Sequence, residues 1–207
     1  GKQSLYFATM PDIVLDVDTV APSACVAIIT LNRPEVKNAL NKSLSTQLSK
    51  TLDGLRKRDD IRCIVIVGAG RCFSAGVDLK DPLFADPSMM RRDFLDSPGN
   101  YMWQLQQLDV PIIAAVAGPC ITGGFEIALN CDVIIASESA VFRDTHTVYG
   151  IVPGGGMTQL LPRMIGIQAA KWMSLTAEPV DAKRALQLGL VSKVQSTTHG
   201  PLLHFRS

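Results

Sequence analysis

Apolar residues recur along this chain in two rhythms. Ile13–Val17 and Cys25–Leu31 (CVAIITL) are short runs rich in β-branched residues, the composition of strands. After the turn Asn32-Arg33-Pro34, leucines fall at 40, 44, 48, 52 and 55, one stripe at helical spacing that the polar run Arg56–Asp60 ends. Arg62–Val67 (RCIVIV), bounded by Gly68, and Pro111–Ala117 (PIIAAVA) are continuous apolar runs, as expected of strands covered on both faces. Tyr101–Leu108 reads as a short helix, Gly123–Asn130 as another, and Val133–Ala136 as a strand. Thr158–Ile165, Gln168–Leu175 and Asp181–Leu188 are helical in character. Between them Asp81–Gly99, polar and with three prolines, reads as irregular or mobile, with a partly helical segment as the alternative, and Gln195–Ser207 has no helical periodicity. Strand and helix in alternation predict an α/β architecture with parallel pairing, and such sheets place ligands at the strand ends.

Composition narrows the function classes. A chain of 207 residues suits one domain, and 47% hydrophobic against 19% charged residues is an ordinary globular balance. With 20 basic and 19 acidic residues the net charge is +1, which excludes charge-driven steering to nucleic acid or a membrane surface. No run reaches the roughly 20 apolar residues of a membrane span. The leading residues GKQSLYFATM lack the basic and apolar regions of a secretory signal, and the final HFRS matches no targeting address. The cysteines, at 25, 63, 72, 120 and 131, are odd in number and lack zinc-site spacing, so they read as buried free thiols of a reducing compartment. No metal site is expected. The compartment stays open among mitochondrial, peroxisomal and cytoplasmic, and secretion is not expected.

Two glycine-bearing turns carry the candidate chemistry: Phe73-Ser74-Ala75-Gly76-Val77-Asp78, and Gly118 with Thr122-Gly123-Gly124-Phe125-Glu126. Each closely follows a buried strand, and the second opens a helix, where free N–H groups favour an anion. Brought together, the two turns would offer paired N–H donors to a carbonyl oxygen that develops charge. The alternative is that both are ordinary tight turns, and Glu126 on its apolar helix suits either an acid/base or a salt-bridged structural acid. Gly68-Ala69-Gly70-Arg71-Cys72-Phe73 lacks the third glycine of a dinucleotide-binding loop.

The segments LNRPEVKNALN (Leu31–Asn41), FSAGVDLK (Phe73–Lys80), AAVAGPCITGGFEIALNCD (Ala114–Asp132), FRDTHTVYGIVPGGGMTQLLPRMIG (Phe142–Gly166) and LTAEPVDAKRALQLGLVSKV (Leu175–Val194) resemble, in order and spacing, the crotonase superfamily of enoyl-CoA hydratases and isomerases. The resemblance implies a spiral of ββα units over residues 11–194, with 195–207 as an atypical tail and a C-terminal helical region that reads as truncated. It implies an acyl-CoA thioester as substrate, coenzyme A arriving with the substrate and no separate cofactor. It also implies a homo-oligomer, a trimer or hexamer, where the shortened C-terminus permits. Carried over position by position, the oxyanion-hole N–H groups fall on Val77 and Gly123. Glu126 falls on the first family glutamate, and Val77, Asp78, Leu79 and Lys80 line the pantetheine and nucleotide path, Lys80 reaching a phosphate.

One departure stands out. The family's hydratases carry a second glutamate, and here its position is His146, with Phe142, Gly150 and Pro153 in register. Histidine titrates near neutral pH and suits proton transfer; Asp144, two residues earlier, is the alternative. The triplet Asp144-Thr145-His146 resembles a branch usually labelled enoyl-CoA hydratase. The expected activity is hydration of the 2,3 double bond of an enoyl-CoA through a stabilised enolate. A double-bond isomerase, an acyl-CoA hydrolase and a non-catalytic acyl-CoA-binding subunit are the alternatives.

Overall fold

The computed structural model describes residues 12–81 and 100–196. The segment read as irregular, Asp81–Gly99, lies outside the described residues apart from Asp81, as do the first eleven residues and residues 197–207.

Strand β1 (Ile13–Ala21) pairs antiparallel with β2 (Ala24–Leu31), and a bulge between Thr19 and Ala21 precedes their tight connection. The sheet then grows by parallel pairing through β3 (Ile61–Gly68), β4 (Ile112–Val116), β6 (Val133–Ser137) and β9 (Lys193–Gln195). A three-stranded sheet combines β5 (Pro119–Ile121), β7 (Val141–Arg143) and β8 (Val180–Asp181). The helices are α1 (Lys42–Arg56), α2 (Tyr101–Gln106), α3 (Gly123–Leu129), α4 (His146–Tyr149), α5 (Met157–Ile165), α6 (Ile167–Thr176) and α7 (Ala182–Gln187). The first pairing thus departs from the parallel expectation, because two residues suffice to reverse a hairpin whereas a parallel step needs a crossover.

The leucine stripe is only partly one helix. Asn41 caps α1, its Oδ1 accepting from Leu44 N at 2.8 Å. Leu44, Leu48, Leu52 and Leu55 are buried along α1, each worth about 1.5–3 kcal/mol in removed apolar surface. Leu40 lies ahead of the cap, fully buried in a parallel bridge with Val77. Alternate residues of the central strands split the sheet into two faces. Ile29, Leu31, Ile64, Ile66 and Ala114 enter the main core with the α1 leucines, while Ile28, Val65, Val67 and Ala115 form a smaller cluster on the other face.

The short strands β5, β7 and β8 were not legible as strands, since two or three residues carry no period. Their function is to bind together the loops that leave the large sheet. β7 brings the segment after Phe142 alongside β5, directly ahead of α3.

Candidate active site

The loops after β3 and β4 stack backbone to backbone. A Cβ on Gly118 (φ +66°) would lie 2.0 Å from Arg71 O, so the approach is closed to any other residue. The N–H groups of Phe73 and Ser74 donate to Pro119 O, and Ile121 N donates to Ser74 O. Gly124 packs against Ser74, whose Cβ would lie 2.5 Å from an added Cβ.

Asn38 locks this pair of loops to the chain ahead of α1. Fully buried and left-handed (φ +54°), it accepts from Arg33 N through Oδ1 and donates through Nδ2 to Ala69 O and Cys72 O. Its own carbonyl accepts from Ser74 Oγ.

The consequence is that Val77 and Gly123 lie side by side. Leu40 N donates to Gly76 O and Asp78 N donates to Leu40 O, so by the alternation of a parallel bridge the intervening Val77 N–H faces away from Leu40. Gly123 is the first residue of α3, where an N–H has no partner within the helix. A Cβ on Gly123 would lie 3.7 Å from Val77 N. Neither N–H has an acceptor among the described residues.

Glu126 follows Gly123 by one turn on the same helical face. Only 4% of its surface is exposed. Oε1 accepts from Gly155 N at 2.7 Å and Met157 N at 3.2 Å, the free donors at the start of α5. Burial pushes the Glu126 carboxyl above the usual range and outweighs the opposing pull of His146 and of these two N–H groups; the nearby Asp144 charge adds to the rise. Gly155 is required by contact, since a Cβ there would sit 2.8 Å from both Cδ and Oε2 of Glu126. Asn130 holds that loop by donating to Gly155 O at 2.7 Å and to Glu126 O at 2.8 Å.

His146, 5% exposed, presents Nε2 to Glu126 Oε2 at 3.8 Å. Its Nδ1 lies 2.6 Å from Oδ1 of Asp144, which is fully buried and also accepts from His146 N at 3.1 Å. Burial raises the Asp144 carboxyl, but the hydrogen bonds from His146 and the polar Ser174 side chain nearby outweigh it, and the net shift is downward. Among the described residues Asp144 Oδ2 has no hydrogen-bond partner. Asp144 therefore stands behind His146, in series with it, and does not face Glu126 in its place. Thr122 Oγ1 accepts from Thr145 N at 3.0 Å, tying this segment to the start of α3.

The outer end of the predicted site behaves differently. The Asp78 carboxylate is bound to Arg33 Nη1 at 3.1 Å and accepts from Lys80 N, so its charge is occupied within the protein. Leu79 is 56% exposed and Lys80 is exposed. Sequence reasoning did not single out Asn38, Asn130, Thr122 or Tyr101. The Tyr101 phenol is pushed well up by burial and by the Glu126 charge, which sets it within electrostatic reach of the carboxylate.

A mixed α/β spiral with two glycine turns beside a buried, donor-held glutamate defines a class, and the comparisons agree. The profile of the enoyl-CoA hydratase/isomerase family matches residues 22–199, and the chain belongs to that family, the crotonase superfamily. A protein of Arabidopsis thaliana named probable enoyl-CoA hydratase 1, peroxisomal, is 38% identical over 172 residues, covering 83% of this chain and 63% of the relative. The 2,3-dehydroadipyl-CoA hydratase of Escherichia coli K12 is 40% identical over 170 residues, covering 82% of this chain and 65% of that enzyme. The chain thus spans less than two thirds of the length of these curated relatives. The crystal structure of an enoyl-CoA hydratase from Bacillus anthracis superposes with TM-score 0.78 at 35% identity, covering 88% of this chain and 70% of that one. Pseudomonas aeruginosa DspI superposes with TM-score 0.80 at 34% identity, covering 95% and 72%. Among the described residues no helix is long and apolar enough to cross a membrane.

Proposed function

We propose that this chain hydrates an enoyl-CoA thioester, with Glu126 and His146 as its proton-transfer pair. The observation that carries the reading is the Glu126 carboxylate: buried, held on Oε1 by two N–H groups, and facing His146 Nε2 with Oε2, one helical turn from the Val77–Gly123 pair.

The thioester oxygen lies between the N–H groups of Val77 and Gly123, which hold its charge as the enolate forms; one such donor is worth about 3–4 kcal/mol of barrier. Glu126 Oε2 accepts a proton from water as the water oxygen bonds to C3 and the C2–C3 double bond moves into the enolate. The enolate collapses and C2 takes the proton from Nε2 of His146, which enters the cycle with hydrogens on both ring nitrogens and leaves this step as the neutral ring with its hydrogen on Nδ1. At that point Glu126 holds the proton from water and Nε2 has lost one. Transfer from Oε2 to Nε2, 3.8 Å apart, restores both groups. Water has been added across the double bond, and no proton is gained or lost by the protein.

The path of the CoA moiety runs over Val77, Asp78, Leu79 and Lys80, with Lys80 free to meet a phosphate and Asp78 shaping the turn through Arg33. No cofactor beyond the substrate's own coenzyme A enters these steps. Assembly as a trimer or hexamer, and a mitochondrial, peroxisomal or cytoplasmic location, belong to the same reading.

Product analysis tests it. The purified chain is incubated with crotonyl-CoA in ¹⁸O-labelled water and the products are separated by mass. Label at C3 of an intact 3-hydroxyacyl thioester is expected. A shifted double bond without label would make the chain an isomerase, label in a free carboxylate would make it a hydrolase, and bound but unchanged thioester would make it a binding subunit.

A further inference from the structure

The second family glutamate is a single carboxylate at the end of a side chain; here its place is filled by two residues in series, and the geometry assigns each a different task. We propose that Asp144 is a positioning residue that fixes the ring of His146 with its proton on Nδ1, so that Nε2 is the atom offered to Glu126 and to C2. The proposal rests on the hydratase reading for its kinetic consequence, and on geometry alone for the ring state.

Three observations carry it. First, Asp144 Oδ1 accepts from the His146 backbone N–H at 3.1 Å, a bond in which the nitrogen can only donate, so Oδ1 acts as an acceptor there. The same oxygen lies 2.6 Å from Nδ1, and one acceptor oxygen facing both nitrogens places the hydrogen on Nδ1. This is an Asx-type turn in which the side chain meets the backbone two residues on, and it holds the carboxylate against the ring. Second, the row from Asp144 through His146 to Glu126 is 0%, 5% and 4% exposed, so water does not compete for these contacts. Third, the loop is held from outside the row. Thr145 N donates to Thr122 Oγ1, Thr122 N donates to Arg143 O, and Thr147 Oγ1 donates to Ser174 O at 2.9 Å. Asp144 and His146 are therefore carried on a segment fastened to the start of α3 and to α6, and their relation to Glu126 is set by the fold. The Asp144 carboxyl, held below the usual carboxylate range despite its burial, agrees with its role as acceptor. A carboxylate that orients an imidazole in this way commonly governs activity by one to several orders of magnitude.

The test combines ring spectroscopy with a double-mutant cycle. The full chain is labelled with ¹⁵N-histidine. It holds three histidines, at 146, 199 and 204, and the His146 signals are those lost in His146→Gln. In the wild type the neutral ring of His146 should show a protonated-type Nδ1 and a lone-pair-type Nε2. In Asp144→Asn, whose amide can donate to Nδ1, the pattern should reverse. In the hydration assay Asp144→Asn should lower kcat about 100-fold with KM changed less than about twofold. In the His146→Gln background the same substitution should change kcat less than about threefold, because the two residues act as one unit. A neutral wild-type ring with its single hydrogen on Nε2 would overturn the proposal even if Asp144→Asn does not fold. An equal loss of kcat in both backgrounds would also overturn it, since Asp144 would then act structurally. Absence of hydration in the wild type would sink the hydratase reading, and the ring spectrum would still decide the role of Asp144.

Discussion

The Gly155→Ala substitution adds one methyl group directly against the Glu126 carboxylate. The new Cβ would lie 2.7 Å from Met102 Cε and 2.8 Å from Glu126 Cδ and Oε2. Gly155 does not have positive φ, so the backbone itself tolerates alanine and the methyl contact decides the outcome. Met102 Cε is the end of a flexible chain and can swing away. The Glu126 carboxylate cannot do so freely, because Oε1 is held by Gly155 N and Met157 N. Relieving the overlap moves the carboxylate by several tenths of an ångström or more, at the cost of one charge-assisted hydrogen bond. The stability loss is about 1–3 kcal/mol, the range for an extra methyl in a packed interior. For a chain of this size that corresponds to a fall of about 2–12 °C in Tm. Activity should fall more steeply, because a misplacement of ~1 Å costs about 100-fold. The assay is initial-rate hydration of an enoyl-CoA, with Tm measured on the same samples and Gly54→Ala as control. Gly54 sits within α1 with open space around its Cβ position, and alanine there should stabilise by about 0.5–1 kcal/mol without changing rate. A Gly155→Ala enzyme with unchanged kcat would refute the claim that the carboxylate's position against this loop governs the chemistry.

Other outcomes follow from the same contacts. Glu126 has a raised folded-state pKa, so as pH rises from about 4 the unfolded chain loses its proton first and folding weakens until the folded carboxyl also ionises. Glu126→Gln cannot ionise, and its stability relative to wild type should therefore increase as pH rises from about 4, until the folded carboxyl ionises; a difference that stays constant as pH rises, measured by denaturant melts, would contradict the assignment. Asn38→Ala strips two carbonyls and one N–H of their buried partner and should cost at least about 2 kcal/mol, read as a Tm lower by about 4 °C or more. Leu48→Ala, in the fully buried stripe of α1, should cost about 2–5 kcal/mol by denaturant titration, with kcat retained where the protein is folded.

The long elements were legible because their periods are long enough to read. Four of the five striped leucines bury along α1, and the apolar runs at 25–31, 62–67 and 111–117 became the central strands. Leu40 was misplaced into the helix because a stripe counts spacing and does not see the Asn41 cap that starts the helix after it. The three-stranded sheet was invisible for lack of length, and with it the way β5 and β7 bring residue 146 beside residue 126. Within the site, Glu126, Gly123 and Val77 were named through resemblance, and the structure sets them together. The relation of Asp144 to His146 was open, since a sequence shows two titratable residues two apart but not which faces the pocket. Asn130 and the donor role of Gly155 were not read from the sequence, although one signal was present: a buried carboxylate requires donors, and a glycine run before a helix supplies free N–H groups.

The central claim is that Glu126 and His146 move the protons of hydration. Its most direct measurement is kcat for loss of the conjugated thioester absorbance of crotonyl-CoA, for wild type, Glu126→Gln and His146→Gln, with Tm confirming that each is folded. We predict turnover by the wild type, a loss of at least about 1,000-fold in Glu126→Gln and at least about 100-fold in His146→Gln. A folded Glu126→Gln that turns over as the wild type does, or a wild type that binds crotonyl-CoA and leaves it unchanged, would contradict the account.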